Sequence, residues 1–308
     1  MGRQWQQWRT IGFASLMVLG IGSGLVISLP GWAQATNQVG QIAQNAVQPA
    51  ESAIDQGLQF IQQGKLNEAI ASFRQAAQLD PRMAAAHYNL GLALRQQGQL
   101  QPAATAFYQA TQADPNFALA YANLGAALLE GNNVQQARDY LQRAIQLDPK
   151  LGLAHYNLGL ALEKQQDYLQ ATRAFSQAMQ LSPNAPEPPY HLGLIYLEQG
   201  KSNEAYNAFQ QALKLNPNYA EAHYNVGGIL FKQGKLDEAL NAFRRSAQAN
   251  SNYANAYYGA GLVFMKQGKF QDAQKVLNYA KQLYTKQGNS SWASRADQQL
   301  QKAQTGKP

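Results

Sequence analysis

No cysteine occurs in the 308 residues, so disulfides, a thiolate nucleophile, a cysteine-held metal or cluster and a lipidated N-terminal cysteine are excluded. Charge is scarce too, with Asp, Glu, Lys and Arg making up 14% of the chain. The formal net charge of +7 is spread without the clustered Lys and Arg of a nucleic-acid footprint. What basic excess there is lies late: fourteen basic against eight acidic side chains in residues 186–308, nine against ten in residues 36–185. Paired catalytic carboxylates, a Gly-x-Ser-x-Gly elbow and a phosphate-binding loop are also missing from the body of the chain. Gly20-Ile21-Gly22-Ser23-Gly24 lies inside an apolar segment with no strand before it, and is discounted. No catalytic residue, metal or cofactor is expected, and the chain is not read as an enzyme.

The N-terminus has the makeup of an export signal. Arg3 and Arg9 stand in a short basic start, Ile11 to Leu29 carries no charge, and Pro30-Gly31-Trp32 breaks any helix. Ala33 and Ala35 place small residues at −3 and −1 of a peptidase site, so residues 1–35 read as a signal peptide cleaved after Ala35. The alternative is an uncleaved anchor, because residues 11–29 are nearly enough to span a bilayer. Either way the remainder is expected outside the cytoplasm, in a periplasm or similar compartment. Residues 36–49 are Gln- and Asn-rich and read as a flexible linker.

What the chain has in abundance is a period. Ala86-His87-Tyr88-Asn89-Leu90-Gly91 returns as Ala154-His155-Tyr156-Asn157-Leu158-Gly159 and as Ala222-His223-Tyr224-Asn225-Val226-Gly227. Glycine recurs every 34 residues from Gly57 to Gly261 without an insertion. Taking it as position 8 gives seven units: 50–83, 84–117, 118–151, 152–185, 186–219, 220–253 and 254–287. Each has alanine at position 20 (Ala69 to Ala273), a large apolar residue at 24 (Phe73 to Leu277) and a small residue at 27. Proline closes the first five. A further glycine (Gly64, Gly98, Gly200, Gly234, Gly268) marks where a first helix must stop, with Asn132 and Gln166 in its place in units three and four. The pattern dictates two antiparallel helices per unit, with small residues where backbones approach and each unit dependent on its neighbour. Asp80, Asp114 and Asp148, before the prolines, are explained as turn residues. In unit five Pro186, Pro188 and Pro189 delay the first helix to about Pro188. Residues 288–308 hold a capping helix over 291–304, started by Ser290 or Ser291, with the stripe Trp292, Ala296, Leu300 and Ala303, and a loose end.

This pattern resembles the tetratricopeptide repeat family over residues 50–287. The resemblance implies an all-α fold, a right-handed α-solenoid whose first helices line a concave groove. It also implies that positions 2, 5, 6, 9, 12 and 13 of the first helices face that groove. His87, His155 and His223 fall at position 4, two units apart, too far from one another to share a metal at ~10 Å per packed helix. They are read as packing residues.

The expected groove residues are therefore Tyr88, Tyr156, Tyr190, Tyr224 and Tyr258 at position 5, and Asn89, Asn123, Asn157 and Asn225 with His191 at position 6. Phe231 and Met265 at position 12 and Lys232 and Lys266 at position 13 complete them. A primary amide both donates and accepts, so a ladder of asparagines can hold the backbone of an extended peptide without reading its sequence. This resembles the ladder in O-linked N-acetylglucosamine transferase. Tyrosine, Phe231 and Met265 suit partner side chains, and the two lysines suit an acidic or amphipathic segment. The family's dicarboxylate clamp needs basic residues at positions 5 and 6, which are lacking. The expected function is an exported adaptor or scaffold binding a peptide or helix of a protein partner. The alternative is a membrane-held envelope-assembly factor. A third and weaker reading is a targeting module of a glycosyltransferase, since only residues 288–308 follow the last unit. Oligomeric state is open.

Overall fold

The computed structural model describes residues 49–306. The expected signal peptide, the candidate span at 11–29 and almost all of the expected linker lie outside the described residues, although residue 49 is already helical. The chain divides into two compact units, Met1–Gln166 and Asp167–Pro308. Among the described residues every regular element is a helix, and none is long and apolar enough to cross a membrane.

The first unit holds α1 (49–62), α2 (Leu66–Leu79), α3 (Ala84–Gln96), α4 (Leu100–Ala113), α5 (Ala118–Glu130), α6 (Val134–Leu147) and α7 (Gly152–Lys164). The second holds α8 (Tyr168–Leu181), α9 (Glu187–Glu198), α10 (Ser202–Leu215), α11 (Ala220–Lys232), α12 (Leu236–Ala249), α13 (Ala254–Lys266), α14 (Phe270–Lys286) and α15 (Ser290–Thr305). In the first unit α2 to α6 each pack on the next helix in sequence, while α3 also touches α5 and α5 touches α7. In the second unit α8 to α15 likewise pack in order, α11 touches α13, and α13 touches α15. First helices therefore lie side by side within each unit, as helical hairpins stacked one on the next require.

The spacing of small and large residues produces this packing. Ala69, Ala103, Ala205 and Ala239 have no exposed surface, and neither do Phe73, Phe107 and Phe209. A Cβ on Gly91 would stand 2.7 Å from the Phe107 ring, and one on Gly193 2.5 Å from that of Phe209. In these hairpins the first helix can settle against the aromatic ring of the second only because that side chain is absent.

Turns follow local chemistry. At Gly98 the chain turns with φ 83°, and the N–H of Gln99 donates back to Leu94 O at 3.0 Å, which satisfies a helix-end carbonyl. Asn132 (φ 65°) and Gln166 (φ 61°) take the same left-handed conformation with side chains attached. Asp80, Asp114 and Asp148 each accept the N–H two residues on at 2.9 Å, as turn aspartates do. Helix α9 starts at Glu187 with proline in its first turn, one residue before the expected start. The cap of α15 differs from expectation. Asn289, not Ser290 or Ser291, accepts the N–H of Trp292 at 3.3 Å, because the helix begins one residue earlier than predicted and its cap moves with it.

Candidate functional site

The first helices carry the candidate site, and its two units are built differently. In the first unit Tyr88 and Asn89 lie on α3, Asn123 on α5, and Tyr156 and Asn157 on α7. All are buried: Tyr88 and Asn89 have 0% exposure, Asn123 3%, Asn157 6% and Tyr156 9%. This corrects the expectation that they are displayed. The Tyr88 ring packs 5.8 Å from Phe107 and 4.9 Å from Phe117, because a ring at position 5 lies over the core of its own hairpin. Burial pushes the Tyr88 hydroxyl up to about 12, against the opposing pull of Arg95, so it stays protonated and can donate.

The hydroxyl of Tyr88 belongs to a network between α3 and α5. Asn123 Nδ2 donates to Tyr88 Oη (3.2 Å) and to Leu119 O (3.0 Å), and its Oδ1 accepts from Arg95 Nη1 (3.3 Å). Arg95 in turn donates through Nε and Nη2 to Glu130, forming a two-pronged ion pair, with both side chains about four-fifths buried. One further link ties α7 to α5, where Lys164 Nζ reaches Leu129 O and Asn132 Oδ1 at 3.4 Å each. The Asn123 amide is thus committed within the protein.

In the second unit Asn225 Nδ2 donates to Tyr190 Oη at 3.4 Å, repeating the offset of 35 residues seen for Asn123 and Tyr88. The position 35 residues before Asn89 is Ile54, and before Asn157 it is Ala122. Neither offers a hydroxyl. Accordingly both amide atoms of Asn89 and the Nδ2 of Asn157 are buried without a hydrogen-bond partner. Whether a position-6 asparagine is tied down depends on position 5 of the preceding repeat. Periodicity by 34 hides this rule, which the one-residue offset would have revealed.

Tyr190 is buried (7%), with its ring 4.7 Å from Tyr219 and 5.6 Å from Phe209, and Met265 (8%) lies in the same core. These too are corrections, made by apolar side chains that pack better against a neighbour than they solvate. His191 is half-buried and stacks on Phe175 at 5.3 Å. Tyr224, Asn225, Phe231 and Tyr258 are half-buried, whereas Lys232 and Lys266 are exposed, with Lys266 Nζ 5.3 Å over the Phe231 ring. Burial raises the Tyr224 and Tyr258 hydroxyls above the ordinary phenol value, so both remain neutral donors.

The position-4 histidines have a task that sequence reading missed. Each Nε2 donates to the carbonyl of the proline six residues before it: His87 to Pro81 (2.9 Å), His155 to Pro149 (3.0 Å) and His223 to Pro217 (2.8 Å). They tie each turn to the helix after it. Burial lowers the basicity of His223, which favours its neutral state. An open cavity of about 650 Å³ lies beside it, between α10, α11 and α12, and is lined mostly from the second helices with Lys214, Glu238 and Arg245.

Two family profiles match. One, described as the C-terminal domain of cilia and flagella-associated protein 70, covers residues 32–257, and the other, described as tetratricopeptide repeat, covers 230–287. No curated protein sequence matches the chain. Among solved structures, a tetratricopeptide repeat protein from Parabacteroides merdae is 20% identical with a TM-score of 0.64, covering 81% of this chain and 99% of that one. The PilF protein of Pseudomonas aeruginosa is 20% identical with a TM-score of 0.60, covering 69% and 96%. The Cut9–Hcn1 hetero-tetramer of the APC/C is 20% identical with a TM-score of 0.62, covering 74% of this chain and 46% of that one. Identities this low establish likeness of fold alone. Stacked hairpins with this spacing of small and large residues, and a profile spanning most of the repeats, lead to one assignment. The chain belongs to the tetratricopeptide repeat family, within the branch described by the C-terminal domain of cilia and flagella-associated protein 70, and is a protein-interaction scaffold.

Proposed function

We propose that this protein is an exported adaptor that holds an extended peptide segment of a partner protein against its first helices. The observation that carries this reading is the face of α11 and α13, where the half-buried Tyr224, Asn225, Phe231 and Tyr258 stand beside the exposed Lys232 and Lys266. Rings with an apolar body and a polar tip suit the side chains of a docked segment. In the second unit the exposed Lys232 and Lys266, beside the half-buried Phe231, suit an acidic or amphipathic segment. Glu198 occupies the equivalent position on α9 and confines that preference to α11 and α13.

Export rests on the basic start, the uncharged run 11–29 and the Ala33–Ala35 site. The mass of the protein recovered from its own cells tests it: a chain starting at Thr36 supports a freed adaptor. An intact N-terminus in the membrane fraction supports the anchored assembly factor, which the length of the uncharged run favours. Peptide docking is tested by selecting a random peptide library on the full chain and titrating an enriched peptide calorimetrically. The double variant Lys232→Ala/Lys266→Ala is expected to weaken binding of an acidic peptide about tenfold. Failure of the library to enrich, or equal affinity for the variant, refutes the docking mode.

A further inference from the structure

The second helices α10 and α12 border an open cleft of about 650 Å³ over α11. Its volume falls in the range of ligand-binding clefts, about 300–1,000 Å³. The floor is apolar: Leu213 of α10, Val226 and Leu230 of α11 and Ala242 of α12 line it, and all four are buried. His223, Val226 and Leu230 follow one another at spacings of three and four, which makes them one face of α11. Phe231 and Lys232 do not line the cleft, so it is a separate surface from the face of α11 and α13 that carries Lys232 and Lys266.

The equivalent notches on either side carry pairs of rings. Between α4, α5 and α6, Tyr121 at position 4 and Tyr140 at position 23 have ring centroids 6.2 Å apart. Between α12, α13 and α14, Tyr257 at position 4 meets Tyr279 at position 26 edge to face at 4.7 Å. At the cleft the same three positions hold His223, Ala242 and Arg245, so no second ring faces the first. The His223 ring is itself committed to the Pro217 carbonyl at 2.8 Å.

The rim sets this cleft apart from every other notch. Position 29 is glutamine in six of the seven repeats, from Gln78 to Gln282, and is lysine only at Lys214. Position 26 of the following repeat supplies the opposite rim, here Arg245. Nowhere else in the chain are both of these rim positions basic. Lys214 and Arg245 are exposed, and neither pairs with an acid among the described residues. Glu238, the cleft's acidic side chain, lies in the first turn of α12, about 10 Å from Arg245 at 1.5 Å per residue. An apolar floor beneath two unpaired cations is complementary to a carboxylate carried next to aliphatic groups.

We propose that this cleft docks a partner segment in which an acidic residue stands between aliphatic ones. Lys214 and Arg245 hold the carboxylate, and the aliphatic side chains settle toward Leu213, Val226 and Leu230. The scaffold thereby gains a contact on its second helices that does not depend on what occupies the first helices.

The test titrates N-acetyl-Leu-Glu-Leu amide into the full chain, with isotope-labelled Leu and Val methyl groups followed by nuclear magnetic resonance. Saturable shifts are expected at the Val226 and Leu230 methyls, with affinity about tenfold weaker for N-acetyl-Leu-Gln-Leu amide. Lys214→Gln/Arg245→Gln gives both rim positions the residue that predominates elsewhere in the repeats. It is expected to raise the apparent Kd for the acidic peptide about tenfold, with the thermal melt and the affinity for the neutral peptide unchanged. Still methyls at Val226 and Leu230, equal affinity for the two peptides, or an unchanged Kd in the variant overturns the proposal. If the cations serve only the fold, the variant melts earlier and binds both peptides alike, which also overturns it. Octanoate moving the same methyls at lower concentration than the peptide assigns the cleft to a free amphipathic acid and overturns the partner segment as its occupant.

Discussion

Tyr88, Arg95, Asn123 and Glu130 of the first unit occupy the same repeat positions as Tyr224, Phe231, Gly259 and Lys266 of the second. In the first unit the four close on one another: Glu130 pairs with Arg95, Arg95 reaches Asn123, and Asn123 holds Tyr88. In the second unit the same lattice is rewritten. Lys266 lies over Phe231 with its charge exposed, Tyr224 turns its ring to Tyr253, and Gly259 presents a bare backbone to Phe243. A polar network that satisfies itself makes a rigid wall. An exposed lysine over a half-buried ring leaves a surface for a partner to cover. The two units share a backbone pattern and differ in what they leave unpaired.

That contrast can be broken most sharply at Gly259. Restoring the asparagine of the first unit with Gly259→Asn places a Cβ 2.6 Å from the Phe243 ring, so the variant is expected to lose about 1–3 kcal/mol in a denaturant melt. Wild-type stability would mean that the network can be transplanted and that the aromatic packing of the second unit is incidental.

A smaller effect is expected at the charges. Arg95→Met removes charge-assisted bonds and strands Glu130 and the Asn123 oxygen. A loss of about 1–2 kcal/mol is expected after allowing for the partial exposure of the pair. Lys266→Met removes one exposed cation over a ring, about 0.5 kcal/mol or less. Equal melts for the two variants would erase the distinction between a closed and an open lattice.

The finest test compares asparagines. Asn123→Ala removes three hydrogen bonds, whereas Asn157→Ala removes an amide whose Nδ2 has no partner. Asn123→Ala is therefore expected to be less stable than Asn157→Ala by about 1 kcal/mol, read as the difference between their unfolding free energies. If Asn157→Ala proves the more costly, the one-residue-offset rule for these amides is wrong.

Much of the fold was legible because its signals are local or strictly periodic. Gly91 with Phe107 and Gly193 with Phe209 announce where backbones touch, Asp80 before Pro81 announces a turn, and proline at 186–189 delays α9. The site was less legible. Aligning repeats position by position compares Asn123 with Asn89, whereas the contact that matters joins Asn123 to Tyr88, one position off in the next repeat. Tyr190 and Met265 looked like display residues because helical position alone does not reveal how far a side chain sinks into its neighbour. Tyr284 and Trp292 lay outside the aligned first helices, so their convergence on Tyr258 had no linear signature.

By itself the sequence determined the hairpin, its length, its turns and the order of stacking. Each depends on backbone sterics and on residues within one repeat or its immediate neighbour. Only the tertiary structure decided which of several identical asparagines keeps an unpartnered amide and which tyrosines become core. Those outcomes depend on the direction and reach of side chains across helices, where one residue of offset changes the partner. Hydrogen bonds are short and directional, while hydrophobic periodicity tolerates such offsets.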